Sequence, residues 1–108
     1  MVITIFRSRL RPENASEYAQ WASRIHDLAV KAPGFISIKT FAADDGERVS
    51  IVEFESEDAV RNWREQPEHR AAQDLGRKLF YSEYRIQVCQ PIRDYSFPKK
   101  AGAPASSV

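Results

Sequence analysis

The segment NWREQPEHRAAQDLGR, residues 62–77, contains one of the two tryptophans and one of the two histidines of the chain, Trp63 and His69. Pro67 lies between them and predicts a break between two helical segments, because proline cannot donate the backbone hydrogen bond that a helix interior requires. An imidazole titrates near neutral pH, so His69 is a candidate general base. Trp63 is a candidate wall for a pocket beside it.

The same side chains also have purely structural interpretations. His69 is equally well explained as a helix-capping or surface histidine, and Trp63 is more often a core residue than a catalytic one. On a helical wheel of residues 67–79, the apolar face consists of Ala72, Leu75, Gly76 and Leu79. His69 and Gln73 lie at the edge of that face, from where a side chain can reach a cavity beside the core.

Two tyrosines in the segment YSEYRIQVC, Tyr81 and Tyr84, are further candidates for binding an aromatic ligand. Side chains alternate between the two faces of a strand, and these tyrosines are an odd number of positions apart. The pattern therefore predicts that they lie on opposite faces, so that at most one of them faces a given cavity.

The sequence has no familiar spacing of metal ligands or phosphate-binding glycines. His26 and His69 are far apart, Cys89 is the single cysteine, and the four glycines form no phosphate-binding loop. Nothing marks a serine or cysteine nucleophile with an oriented histidine. The residues therefore favour a site without metal or cofactor. Such a site needs only an apolar cavity, one base and one hydrogen-bond donor for an oxyanion.

Composition narrows the class of protein. The chain has 108 residues, enough for one domain, and its 16 basic and 15 acidic residues balance, which argues against nucleic acid or an anionic membrane as a partner. The single cysteine allows no disulfide within the chain and favours a cytoplasmic location. The N-terminus is apolar too briefly for a signal peptide, and no apolar run approaches the roughly 20 residues that span a bilayer.

Hydrophobic patterning predicts the order β-α-β-β-α-β, typical of an α+β, ferredoxin-like fold. The predicted strands are VITIFRSRL, FISIKTFAA, RVSIVEFES and FYSEYRIQVCQPI. Asn14, with Glu17 three residues on, predicts a capping box for the first helix. Ser56 predicts the cap of the second, which is interrupted at Pro67 and restarts up to about Lys78. Asp45-Gly46 predicts the hairpin turn.

The strands predict one antiparallel sheet with the helices on a single face, in a domain of residues 1–95 followed by a tail at 96–108. Both registers of the strands carry apolar side chains, whereas a face exposed to water should be polar. The simplest cover for the second face is another copy of the same sheet, so the pattern predicts a homodimer. A monomer with a dry pocket on that face is the alternative.

The motifs also carry a resemblance. The βαββαβ order, the helix of Trp63, the segment PEHRAAQDLGR and the strand YRIQVC together resemble the antibiotic biosynthesis monooxygenase family, over about residues 2–95. The resemblance implies a dimeric α+β barrel with a pocket between sheet and helices in each protomer. It also implies oxygenation of a small aromatic molecule such as a polycyclic phenol, an anthrone or a quinol, without metal or flavin.

A related branch of that family binds and degrades haem, and two departures weigh against this activity. The iron-binding histidine of that branch falls where this chain has Gln73, and an asparagine of its first strand falls at Arg7 or Arg9. Two functions remain open. One is a cofactor-independent monooxygenase with His69 as its base and Trp63, Gln73, Tyr81 and Tyr84 around the substrate. The other is a non-catalytic, ligand-binding or stress-related dimeric barrel.

Overall fold

The computed structural model describes residues 1–98 and contains four strands, three α-helices and a π-helical turn. The elements, in chain order, are β1 (Val2–Leu10), α1 (Ala15–Val30), β2 (Phe35–Ala42), β3 (Arg48–Phe54), α2 (Glu57–Arg64), α3 (Pro67–Leu75), the π-helical turn (Gly76–Phe80) and β4 (Tyr81–Cys89). Most of the tail predicted at 96–108 lies outside the described residues.

The strands form one antiparallel sheet in the order β2-β3-β1-β4, so the predicted α+β, ferredoxin-like fold is confirmed. Each β-α-β unit places its helix over the same face of the sheet. The hairpin between β2 and β3 turns at Asp45-Gly46, as predicted, and Gly46 has a φ of 91°, a conformation that favours glycine.

One helix start follows the capping prediction and one does not. The Ser56 side chain accepts a hydrogen bond from the backbone N–H of Ala59 at 3.1 Å and caps α2. The capping box predicted at Asn14 is wrong. Asn14 precedes α1, but its φ of 63° is left-handed and its side chain makes no capping bond. The side-chain amide instead points toward the carbonyl oxygen of Leu79, 3.5 Å away.

The last helical segment is predicted to reach about Lys78, and the structure divides it into an α-helical and a π-helical part. Regular helix ends at Leu75, and the chain makes a π-helical turn before β4 begins at Tyr81. Gly76 is the first residue of that turn, and the Tyr81 ring packs directly on it. Only glycine fits there, because a Cβ at this position would lie 2.6 Å from the ring. The glycine thus sets the position of Tyr81.

The main core lies at the end of the sheet where β1 begins. Val2, Phe54 and Val60 are buried there. The partly buried side chains around them are Ala32, Phe35, Val52, Ala59 and Trp63. This cluster fixes α2, and therefore Trp63, against the sheet.

The face opposite the helices is apolar only in part. Its apolar side chains include Ile3, Ile5, Val49 and Ile51, and Ile5 pairs directly with Ile51 across β1 and β3. Toward the hairpin the same face is ionic, with Arg7 bonded to Glu47 and Arg9 bonded to Asp45 and Glu83. The predicted apolar character of this face is therefore found only in the half that lies away from the hairpin.

A bulge in β2 changes one further detail of the predicted strand pattern. The pairing shifts between Phe35 and Ser37, so Phe35 pairs with Phe54 on the helix side, whereas Phe41 pairs with Val49 on the other. Strict alternation predicts that Phe35 and Phe41 share a face. The inserted residue reverses that relation, because it changes the phase of every residue after it.

Candidate functional site

Trp63 and His69 lie against each other at the junction of α2 and α3. Their rings are stacked, with centroids 4.2 Å apart and an interplanar angle of 18°. Pro67 begins α3 directly after the break, so the chain turns back and brings the two side chains together. The short separation of Trp63 and His69 in the sequence therefore lets their rings stack across the helix break.

Hydrogen bonds fix the orientation of the imidazole. Nδ1 of His69 lies 3.0 Å from the carbonyl oxygen of Trp63, and the backbone N–H of His69 donates to Oε1 of Gln66 at 2.8 Å. Because a carbonyl can only accept, Nδ1 carries the proton in this arrangement. In the neutral ring Nε2 is then the acceptor, which is the form that a general base requires.

Burial favours the neutral form of this ring. Desolvation lowers the pKa of His69 below the ordinary imidazole value of 6.5, and the hydrogen bond to the Trp63 carbonyl opposes that shift by stabilising the cation. At neutral pH the side chain is therefore an uncharged base. A ring with a lowered pKa also keeps its basic nitrogen free at mildly acidic pH.

The lowered pKa predicts a loss of stability in mild acid. Below pH 6.5 the histidine of the unfolded chain binds a proton before the folded one does, so the free energy of unfolding falls as the pH falls toward the lowered value. Urea unfolding at pH 7.5 and at pH 5.5 measures the difference. The free energy of unfolding of a His69→Asn variant should change less between the two pH values, because asparagine does not titrate. Exposed His26 and all other groups are unchanged. Equal differences in the two proteins would contradict the assignment.

A cleft of about 260 Å³ opens beside the indole, between α1 and α2. Its lining residues are Leu28, Lys31, Ala32, Pro33, Ala59, Asn62, Trp63 and Gln66. The cleft is mainly apolar, and Trp63 forms part of its wall as the sequence predicts. His69 is not among the lining residues, so the expectation that the imidazole lines this cavity is wrong: its ring is stacked on the indole.

A second cluster, of aromatic side chains, lies at the hairpin end of the sheet on the helix side. Tyr81 contacts Phe6, Tyr18 and Tyr84, with ring centroids 5.3, 6.0 and 5.9 Å away respectively. Phe6 also contacts Tyr84 at 5.8 Å. The predicted separation of Tyr81 and Tyr84 onto opposite faces is therefore wrong. A bulge at the start of β4 inserts one residue between them and brings both rings to the helix side.

The hydroxyl group of Tyr81 stays protonated at any ordinary pH. Burial raises its pKa strongly, the neighbouring Tyr18 raises it further, and the cationic Arg48 acts in the opposite direction. Tyr81 is thus a fixed hydrogen-bond donor or acceptor and not a base. Tyr84 is 41% exposed at the rim, beside Arg77.

Four of the five residues that the sequence suggests form two separate pairs. Trp63 and His69 form one and Tyr81 and Tyr84 the other, while Gln73 is half-buried on α3 and makes no side-chain hydrogen bond to residues 1–98.

Sequence reasoning did not single out Tyr18 or Arg48 as site residues. Tyr18 lies on the apolar face of α1, and Arg48 lies in the helix-facing register of β3, opposite Ser8. The sequence signal for Arg48 is a charged side chain in the register of β3 that faces the helices.

Two properties of the part of the chain that the structure describes bear on other kinds of site. Between residues 1 and 98, no group of His, Cys, Asp or Glu side chains is arranged to hold a metal ion. Within the same range, no helix combines the length and the apolar character needed to cross a membrane.

Comparisons with known proteins agree with the fold and the sequence. The family model for antibiotic biosynthesis monooxygenase matches residues 1–75. The uncharacterized protein YqjZ of Bacillus subtilis (strain 168) is 32% identical over 90 residues, which cover 83% of this chain and 79% of that protein.

Solved structures give the same architecture. Rv0793 from Mycobacterium tuberculosis has a TM-score of 0.77 at 21% identity, over 88% of this chain and 98% of that chain. SnoaB, a cofactor-independent oxygenase from Streptomyces nogalater, has a TM-score of 0.75 at 18% identity, over 91% of this chain and 97% of that chain. At these identities the two structures establish similarity of fold.

Proposed function

The chain belongs to the antibiotic biosynthesis monooxygenase family, and on that premise we propose that it is a cofactor-independent monooxygenase acting on a small aromatic molecule, such as a phenol, a quinol or an anthrone-like compound. The observation that carries the proposal is the neutral, oriented imidazole of His69, whose Nδ1 is held by the Trp63 carbonyl. The name of one structural neighbour, a cofactor-independent oxygenase, supports the reaction type.

The chemistry requires only a base and an enclosed aromatic substrate. Nε2 of His69 removes the proton of a phenolic hydroxyl, and the resulting phenolate is electron-rich enough to react with dioxygen. A phenol with a free para position can form a quinone and water. One oxygen atom enters the ring, the other leaves as water, and the substrate supplies all four electrons. No external reductant is then needed.

The remaining predicted site residues have supporting roles in this proposal. Trp63 holds the imidazole in place by stacking, and Gln73 is a hydrogen-bond donor on the same helix as His69. Tyr81 and Tyr84 offer aromatic surface and hydroxyl groups on the helix side of β4. Oxygen uptake against a panel of phenols and hydroquinones, with a chelator present, tests the activity. No uptake above the uncatalysed rate with any member would count against it.

One observation favours a second function, a dimeric barrel that binds a small ligand without turning it over. The cleft beside Trp63 is mainly apolar and does not include His69. A ligand in that cleft would contact the indole but no base. Binding of an apolar ligand that quenches tryptophan fluorescence, together with zero oxygen uptake, would select this function.

We also propose that the chain forms a homodimer through the sheet face that carries Ile3, Ile5, Val49 and Ile51. Stable interfaces bury roughly 1,200–2,000 Å² and need a desolvated apolar centre, which these residues provide. The free thiol of Cys89 fits a reducing, cytoplasmic environment for such a dimer.

Light scattering at micromolar concentration should give twice the mass of one chain. Ile51→Glu should shift the protein toward the monomer, because it places a charge at the centre of the proposed interface. Arg61→Glu, on the exposed surface of α2, is the matched control and should remain dimeric. A monomer mass for the unmodified protein would contradict the assembly.

A further inference from the structure

One strand-to-strand row on the helix side of the sheet carries a cation and two hydroxyl groups. Arg48 pairs with Ser8 across β3 and β1, and Ser8 pairs with Tyr84 across β1 and β4. Directly paired residues project from the same face of a sheet. Ser8 is buried, at 4% exposed, and it is the buried polar side chain of the described core. The small serine therefore separates a guanidinium from a phenol on the side that the helices cover.

Aromatic rings complete the surroundings of this row. The guanidinium of Arg48 lies over the ring of Tyr18, 5.9 Å from its centroid, within the range of a cation–π contact. Tyr18 also contacts Tyr81, whose ring is seated on Gly76. Tyr18, which contacts the guanidinium of Arg48, is thus itself held in place by the packed ring of Tyr81.

Within residues 1–98, Arg48 lacks the carboxylate partner that several other arginines have. Arg7, Arg9, Arg24, Arg61 and Arg77 each form an ion pair with a carboxylate. Within residues 1–98, Arg48 forms none. It is also half-buried and faces the helix layer, where an unpaired charge is costly. An anion that binds beside it would offset that cost.

The next row of the sheet adds polar groups and does not supply the missing charge. Ser50, two residues after Arg48 on the same side, shares a hydrogen bond of 2.8 Å with Thr40. Neither hydroxyl carries a negative charge. The surface between α1 and the hairpin end of the sheet therefore combines hydrogen-bond donors, an aromatic ring and the guanidinium of Arg48.

We propose that Arg48 and Tyr18 form a subsite that binds an aromatic anion, with the guanidinium on the anionic group and the Tyr18 ring against the aromatic plane. The subsite rests on the proposed function, because it assigns the substrate a negatively charged substituent. Arg48 is then the residue that selects charged over neutral aromatics. A guanidinium suits a planar anion because its N–H groups match carboxylate geometry.

The experiment is a calorimetric titration with 4-hydroxybenzoate and, separately, with uncharged 4-hydroxybenzamide, which has nearly the same shape. The unmodified protein should bind the carboxylate more tightly than the amide. Arg48→Gln should weaken carboxylate binding by about 10- to 100-fold, the range expected for one charge-assisted contact, and weaken amide binding clearly less, because the amide loses only a neutral hydrogen bond. Arg61→Gln, which removes an exposed arginine on α2, should change neither affinity.

Two further variants separate the ring from the hydroxyl of Tyr18. Tyr18→Phe should keep most of the preference for the carboxylate, whereas Tyr18→Leu should lose much of it, because only the second removes the ring. Circular dichroism checks that each variant is folded. Equal affinity of Arg48→Gln and the unmodified protein for 4-hydroxybenzoate, or no binding by the unmodified protein, would overturn the subsite. Oxygen uptake with a neutral quinol is measured apart from these titrations, so failure of the monooxygenase proposal is recognised separately.

Discussion

Replacing His69 by asparagine is expected to lower turnover by a factor of about 10²–10⁴, the usual contribution of a general acid–base group. The asparagine amide can occupy the position of Nδ1–H and donate to the Trp63 carbonyl, which the histidine does at 3.0 Å. It has no basic nitrogen where Nε2 stands. The variant therefore removes the proposed base while it preserves the bond that orients it. Initial rates of oxygen uptake measure the effect.

His69→Phe is the complementary variant. It retains a flat ring to stack on Trp63 but cannot donate to the carbonyl. That carbonyl still accepts from the Gln66 backbone N–H at 3.2 Å, so the expected loss is only about 0.5–1.5 kcal/mol of unfolding free energy. If His69→Asn retained full turnover while His69→Phe lowered the melting temperature, the imidazole would be a structural link across the helix break and the base would lie elsewhere.

The pH dependence of turnover tests independently whether His69 is the base. A base must be unprotonated, and burial lowers the pKa of His69 below 6.5. The acidic limb of the rate profile should therefore fall below the ordinary imidazole value. A limb centred above 6.5 would assign the essential base to a different group.

Element order and sheet topology followed from local patterns in the sequence. The four strands, the Asp45-Gly46 turn and the Ser56 cap depend on a few adjacent residues each, and all are confirmed. Errors occurred where a distant contact overrides local preference. The Asn14 side chain turns toward the Leu79 carbonyl, 65 positions away, and so does not cap its own helix.

The bulges explain most of what was missed in the site. Alternation in a single sequence has no signal for an inserted residue, and one such residue inverts every assignment beyond it. Strict alternation therefore predicts the wrong face for Tyr84 relative to Tyr81, and for Phe41 relative to Phe35. The Trp63–His69 pair was identified because its spacing is short, but stacking on the indole, and not exposure to a cavity, is a property of side-chain packing.

The largest stability effect from a single methyl group is expected at Gly34. This residue follows α1 with a φ of 83°, and a Cβ added to it would lie 2.6 Å from Cβ of Ala59 in α2. Left-handed backbone costs a non-glycine residue about 1–2 kcal/mol, and forced overpacking adds about 1–3 kcal/mol. Gly34→Ala should therefore lower the free energy of unfolding by about 2–5 kcal/mol, measured by urea denaturation.

Gly46→Ala is the matched control for Gly34→Ala. Gly46 has a similar φ of 91°, but nothing lies within 4 Å of the position that its Cβ would take. Gly46→Ala should therefore lower the free energy of unfolding only by the cost of the left-handed backbone, about 1–2 kcal/mol. Ala59→Gly removes the atom that Gly34→Ala would strike, so the double variant should recover about 1–3 kcal/mol relative to the sum of the single losses. Equal losses for the two glycine variants, with no recovery in the double variant, would mean that α2 moves away freely. The contact with Gly34 would then not determine where Trp63 and the cleft beside it are held.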